Sequence, residues 1–157
     1  MPAPIITLRP GVEADIPRLI LVWRSSVDAT HDFVLPADLD SFETLMADVF
    51  SPEVALTVAE IEGEVVGFAG TVEQELAMLF VDADFRGIGV GSALIEHALA
   101  RIPNLVLDVN EQNAQAIGFY LHHGFRVVGR SPVDSEGKPY PFLHLARATV
   151  GEQDAGS

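Results

Sequence analysis

The apolar positions of the chain follow two periods, and each period predicts one type of element. Alternating or continuous apolar residues predict strands, and these lie at residues 5–9, 54–61, 64–72, 75–81, 105–109, 125–128 and 140–146. Apolar residues recurring every three or four positions predict helices, one with Pro17 in its first turn and capped by Glu13 or Asp15. Three further helices are predicted, one over residues 36–49, one that begins near Gly91 and one over residues 113–123.

This order, β-α-α-β-β-β-α-β-α-β-β, predicts an α/β fold with a mixed central sheet of about seven strands and about four helices. Glu62-Gly63 between two strands indicates a tight hairpin. We expect one domain over residues 1–148 and a disordered tail over residues 149–157, where the chain becomes small and polar.

A glycine-rich segment separates the strand ending at Val81 from the next helix. We call residues 86–92, with the sequence RGIGVGS, the glycine loop. A strand, a glycine-rich turn and a helix in this order direct several backbone N–H groups and a helix N-terminus to one spot. That spot favours an anion, most often a phosphate.

Composition narrows the possible ligands and locations. The chain has 23 acidic and 9 basic residues, a net charge of −14, which disfavours nucleic acids and anionic membranes as partners. It has no cysteine, no apolar run of the length of a membrane span and no apparent secretory signal, so we expect a cytoplasmic protein. The scattered histidines predict no metal site.

Two phosphate-binding motifs fit the glycine loop poorly. A P-loop requires a Lys after its last glycine, but Gly91 is followed by Ser92-Ala93. A dinucleotide-binding fingerprint would pair Gly87 and Gly89 with Asp108 at the ribose, but it requires a third glycine where Ser92 stands.

A third motif fits better. The pattern R-x-x-G-x-G from Arg86 to Gly91 resembles the pyrophosphate loop of the GNAT superfamily of N-acetyltransferases. Downstream, N-x-x-A-x-x-F-Y-x-x-x-G-F from Asn113 to Phe125 is similar to the second signature of that family. Ala83 stands where many members carry proline. The sequences near both ends of the chain are similar to those of small bacterial members of the superfamily.

The resemblance implies a single-domain GNAT fold with a V-shaped splay between the fourth and fifth strands. It also implies acetyl-CoA, or coenzyme A, as the cofactor. The backbone of the glycine loop would bind pyrophosphate, and the strand before it would pair with the pantetheine arm, with the Leu79 N–H as a candidate oxyanion donor. The implied cofactor-binding residues are Leu79, Phe80, Val81, Arg86, Gly87, Ile88, Gly89, Val90, Gly91, Ser92, Asn113, Phe119 and Tyr120.

The implied reaction transfers an acetyl group to a primary amine of a small molecule or peptide. Tyr120 matches the family residue that protonates the leaving thiolate. Glu75 is a candidate base, with His31 or a chain of waters as alternatives. Further residues are expected to line the acceptor side, namely Trp23, Val27, Thr30, His31, Phe33 and Tyr140.

Three further expectations remain open at this point. His144 lies in an apolar alternating strand and is expected to be a packed core residue. A non-catalytic acyl-CoA sensor on the same fold is the alternative function, and retention of Tyr120 favours the enzyme. The resemblance also allows a homodimer.

Overall fold

The computed structural model describes residues 5–30, 53–133, 137, 139 and 141–147. Within these ranges lie seven strands, three α-helices and two short 3-10 helices, at Glu13–Asp15 and Ala83–Phe85. The predicted helix at residues 36–49 and the predicted disordered tail lie outside the described residues. The strands are β1 Thr7–Pro10, β2 Ala55–Ile61, β3 Glu64–Val72, β4 Glu75–Val81, β5 Val106–Asn110, β6 Phe125–Ser131 and β7 Phe142–Arg147. The helices are α1 Ile16–Thr30, α2 Val90–Arg101 and α3 Ala114–His122.

The strands form one sheet in the order β1-β2-β3-β4-β5-β7-β6. β1 and β3 each pair antiparallel with β2, and β5 and β6 each pair antiparallel with β7. β4 and β5 are parallel, with Glu75 opposite Val106 and Leu76 opposite Leu107. The predicted mixed sheet of seven strands is therefore confirmed, while the splay of β4 from β5 stays a prediction.

The chain divides into two compact units, each with its own buried side chains. Unit 1 comprises residues 1–73 and 77–97, and unit 2 comprises residues 74–76 and 98–157. The largest fully buried side chains of unit 1 are Leu19, Val22, Val58, Val66, Phe68, Val90, Leu94 and Ile95. In unit 2, Leu105 and Leu145 are fully buried, and Leu107, Val109, Tyr120 and Phe125 are less than 9% exposed.

The start of the chain differs from the prediction in one detail. The first strand begins at Thr7 rather than at Ile5, which is 83% exposed. Asp15 and Glu13, the predicted caps of α1, form a 3-10 turn directly before that helix, and capping of α1 by either side chain stays a prediction. The Asp15 carboxylate accepts two hydrogen bonds from Arg9 and one from the Val12 N–H, all at 2.9 Å.

None of the helices within the described ranges combines the length and apolar composition that crossing a membrane requires.

Candidate active site

The glycine loop turns through two left-handed backbone positions, Gly87 with φ +77° and Gly89 with φ +97°. Residues other than glycine rarely adopt these angles. A Cβ built on Gly87 would meet no heavy atom within 4 Å, so the space beside this residue is open. A left-handed backbone beside open space fits an anion that approaches peptide N–H groups closely.

Helix α2 begins directly after Gly89. The Ala93 N–H donates to the Gly89 carbonyl at 3.0 Å, which is the first hydrogen bond of the helical ladder. The preceding N–H groups therefore lie outside that ladder, at the positive end of the helix dipole. Val90 anchors this end because its side chain is only 1% exposed. The residues present therefore fit the pyrophosphate of coenzyme A.

Asp82 fixes the entry to the glycine loop. This side chain is buried and accepts hydrogen bonds from the Asp84 N–H at 3.0 Å and the Ser25 hydroxyl at 3.3 Å. The Arg18 guanidinium lies 3.3 Å from the same carboxylate. Ser25 Oγ also accepts from the Ala83 N–H at 3.1 Å, so α1 holds the segment between β4 and the loop.

Arg86, the first residue of the glycine loop, is also bound to α1. Its guanidinium donates to the Ser26 carbonyl at 3.0 Å, with the Ser26 hydroxyl 3.4 Å away. In this structure the side chain therefore positions the loop. Direct contact between Arg86 and the cofactor stays a prediction.

The strand before the loop carries the residues predicted to meet pantetheine. Leu79, Phe80 and Val81 are each half-buried at the C-terminal end of β4. The Phe80 ring packs against the ring of Phe68, with centroids 5.7 Å apart. Glu75 is exposed at the opposite end of this strand. Both the pantetheine contacts and the role of Glu75 as base stay predictions.

Unit 2 contains the second group of predicted residues, which come together at α3. Asn113 is the N-cap of this helix, and its side chain accepts from the Ala116 N–H at 3.1 Å. Phe119 is half-buried, and its ring lies edge-on to the Tyr120 ring at 5.2 Å. The Tyr120 ring also meets Phe125 edge-on at 5.7 Å. Tyr120 is thus held rigidly by aromatic contacts.

Tyr120 is buried, with 8% of its surface exposed. Burial raises the pKa of its phenol well above the ordinary value, because the apolar surroundings disfavour the phenolate. The group is therefore protonated at neutral pH. A protonated phenol can donate a proton to a thiolate and cannot serve as a base.

The structure describes only part of the predicted acceptor side. Trp23 lies in α1 and is 3% exposed. Val27 and Thr30 follow in the same helix, and only their backbone is described. His31, Phe33 and Tyr140 lie outside the described residues. The role of these residues in acceptor binding stays a prediction.

The expectation that His144 is a packed core residue is wrong. Its side chain is 36% exposed and forms two short hydrogen bonds within unit 2. Nδ1 lies 2.6 Å from Asp108 Oδ1, and Nε2 lies 2.7 Å from Ser131 Oγ. The pattern of apolar neighbours gave no signal for this arrangement, because His144 faces away from buried Leu145.

A mixed seven-stranded sheet with a glycine loop between a strand and a helix defines an α/β protein with a candidate anion-binding turn. The family model of the GNAT acetyltransferase domain matches residues 52–127. The peptidyl-lysine N-acetyltransferase YjaB of Salmonella typhimurium is 48% identical over 142 residues, covering 90% of this chain and 97% of that protein. The chain therefore belongs to the GNAT family, as an N-acetyltransferase similar to the YjaB proteins.

Solved structures agree with this assignment. The solution structure of apo YjaB from Escherichia coli has 46% sequence identity and a TM-score of 0.85, covering 93% of this chain and 99% of that one. An N-acetyltransferase of Thermoplasma acidophilum, PaiA, shares the fold with a TM-score of 0.74 at 20% identity, covering 91% of this chain and 99% of its own. That protein was solved in complex with coenzyme A.

Proposed function

We propose that the protein transfers the acetyl group of acetyl-CoA to the side-chain amine of lysine in peptides or proteins. The observation that carries the proposal is the glycine loop, in which Gly87 and Gly89 are left-handed and Gly87 borders open space just before α2. Relatives that match nearly their whole length to this chain are named for peptidyl-lysine acetylation, which supports the acceptor class.

Backbone groups supply the donor site. The global charge of −14 opposes the binding of a polyanion, so local donors must hold the pyrophosphate. Peptide N–H groups suit this role because they need no nearby cationic side chain. The contacts of Asp82 and Arg86 with α1 keep those donors in place before the ligand arrives. When bound, acetyl-CoA supplies an acetyl group activated as a thioester.

Tyr120 is the proposed proton donor to the leaving thiolate. A phenol is protonated at neutral pH, as a proton donor must be, and burial, which raises its pKa, opposes proton release until the thiolate forms. The aromatic contacts with Phe119 and Phe125 limit the positions that the ring can take. A proton donor fixed in this way needs little reorganisation during the reaction.

The acceptor must lose a proton before it attacks, since lysine is protonated at neutral pH. Glu75, His31 or a chain of waters remains the proposed proton acceptor. The strong negative charge of the protein favours acceptor lysines that lie in basic sequences. A cytoplasmic location and a homodimer also belong to the proposal and await direct measurement.

The proposal is tested with paired peptides whose N-termini are blocked. One peptide contains a single lysine among basic residues, and its partner has norleucine at that position and therefore lacks the amine. We expect the release of free CoA thiol and a mass increase of one acetyl group for the lysine peptide alone. Binding of acetyl-CoA in calorimetry without thiol release, over a panel of peptides and small amines, would contradict the proposed transfer and favour a sensor.

A further inference from the structure

Three side chains of unit 2 form a hydrogen-bonded chain in the order serine, histidine, carboxylate. Ser131 Oγ lies 2.7 Å from His144 Nε2, and His144 Nδ1 lies 2.6 Å from Asp108 Oδ1. We propose that these residues form a second reactive site, in which Ser131 is a nucleophile toward activated esters and organophosphonates. Nothing in the acetyl-CoA chemistry proposed above uses them.

The register of the sheet explains why the carboxylate and the imidazole meet. β7 lies between β5 and β6, and Asp108 stands directly opposite His144. Leu107 and Leu145, one position away on each strand, are buried on the other face. The pair therefore lies on the less buried face of these strands, because neighbouring side chains alternate.

A β-bulge brings the serine to the same face. Val127 pairs with Leu145 and Gly129 pairs with His144, so Val128 is an additional residue in β6. If Val128 itself paired with His144 in a regular ladder, the alternation would place Ser131 on the opposite face from His144. Because of the bulge, Ser131 lies on the face of His144 and diagonal to it, at a separation that an imidazole ring can bridge.

Gly129 leaves room for the imidazole. A Cβ built on this residue would lie 3.2 Å from His144 Cδ2, closer than most Cβ contacts, and at an ordinary contact distance of 3.7 Å from its Cγ. The ring therefore lies over a residue that has no side chain. This packing holds the ring between its two partners and limits its freedom to turn away.

The hydrogen bonds assign a role to each atom. In the tautomer that carries its proton on Nδ1, the imidazole donates to the Asp108 carboxylate, and a lone pair on Nε2 faces the Ser131 hydroxyl. A base within hydrogen-bond distance of a hydroxyl, itself oriented by a third group, is the arrangement that activates serine.

The chain of hydrogen bonds is also accessible to reagents. The side chains of Asp108 and His144 are 51% and 36% exposed, and Ser131 is half-buried. Partial exposure lets a small ester approach the hydroxyl oxygen while the imidazole stays bound to its carboxylate.

The proposed step balances with an aryl acetate as the acyl donor. Ser131 Oγ forms a bond to the acetyl carbon, and the bond from that carbon to the phenolic oxygen breaks. The hydroxyl proton moves to His144 Nε2 and then to the leaving phenolate. Water reverses the sequence, so that acetate is released and the serine is restored. With a fluorophosphonate the bond forms to phosphorus, fluoride leaves and the adduct is stable.

The test treats the full chain with a fluorophosphonate probe, without coenzyme A or amine, and maps the adduct by peptide mass spectrometry. We expect one adduct per chain, on Ser131. His144→Gln and Asp108→Asn should slow labelling by about a hundredfold or more, in line with the loss of general-base assistance. His97→Gln is the matched control, because His97 is exposed on α2 and is not part of this cluster. Labelling of His97→Gln at the parent rate is expected.

Absence of an adduct, or equal labelling rates in the parent and in Asp108→Asn, would overturn the proposal and leave the cluster as a link between strands. An adduct on a different residue would also overturn it. Circular dichroism and thermal unfolding of each variant show whether it is folded. Asp108→Asn retains the shape of the side chain, so a folded variant is available even if His144→Gln unfolds.

Discussion

Replacing Gly87 by alanine tests whether the backbone of the glycine loop holds the cofactor. An L-residue forced into the left-handed region costs about 1–2 kcal/mol, and Gly87 has φ +77°. The new methyl group meets no protein atom within 4 Å, so no steric clash adds to this cost. It would instead occupy the open space beside the loop, where we propose that the pyrophosphate lies.

Two other glycines of the chain separate strain from ligand contact. Gly63, in the β2–β3 hairpin, has φ +82° and is equally open, so alanine there should cost a similar 1–2 kcal/mol. Gly118 is exposed within α3, where alanine should stabilise by about 0.5–1 kcal/mol. Only Gly87→Ala should also weaken acetyl-CoA binding. Losing one or two charge-assisted hydrogen bonds, at about 1.5–3 kcal/mol each, corresponds to a loss of at least about tenfold in affinity.

The three variants are compared by urea unfolding and by calorimetric titration with acetyl-CoA. Gly87→Ala and Gly63→Ala should have similarly lowered free energies of unfolding, but only the first should have a raised Kd. If Gly87→Ala binds acetyl-CoA as tightly as Gly63→Ala does, the assignment of the glycine loop to the pyrophosphate is refuted.

Four further predictions concern three side chains, those of Tyr120, Asp82 and Asp15. Tyr120→Phe should lower kcat by about 10²–10⁴ in steady-state assays while the Kd of acetyl-CoA stays unchanged, and an unchanged kcat would exclude the acid role. Because burial raises the pKa of Tyr120, the folded state stays protonated where the unfolded chain ionises, so unfolding scans should show stability falling as the pH rises above about 10. Asp82→Ala should lower the free energy of unfolding in urea by about 2–3 kcal/mol, because the hydrogen bonds to Ser25 and the Asp84 N–H are lost. Asp84→Ala, at an exposed position, should change it by less than about 0.5 kcal/mol, and equal effects of the two substitutions would refute the anchoring role of Asp82. The hydrogen bond from Arg9 lowers the pKa of Asp15, so its contribution is present above about pH 4 and is lost as the pH falls, and acid unfolding of Asp15→Asn should lack that component.

Elements whose signals are local could be predicted from the sequence. β3 is a run of apolar and small residues bounded by the Glu62-Gly63 turn, and its predicted limits, residues 64–72, match the structure. The predicted start of β1 at Ile5 is wrong. Ile5 is apolar, but the pairing of β1 with β2 begins only at Thr7. An exposed apolar residue beside a strand extends the apparent pattern beyond the paired residues.

The sequence motif predicts the glycine loop, but it does not predict the side-chain contacts that hold the loop against α1. Ser25 and Ser26 are ordinary helix residues in the sequence, separated by 57 and 60 positions from Asp82 and Arg86, which they contact. No periodicity links positions so far apart. The structure thus supplies the physical reason for the fixed loop, which the motif alone could only imply.

The cluster of Asp108, His144 and Ser131 shows how one additional residue can hide a site from the sequence. Strict alternation along β6 would place Arg130 on the face of His144 and Ser131 on the other. The bulge at Val128 reverses that assignment for every residue that follows in the strand. Moving the hydroxyl by one position, with Arg130→Ser and Ser131→Ala in one variant, should therefore place it on the opposite face from His144. Asp108 and His144 should stay paired, because their register on β5 and β7 does not depend on β6. If that variant is folded and carries the fluorophosphonate on the relocated hydroxyl at the parent rate, the imidazole does not activate the nucleophile.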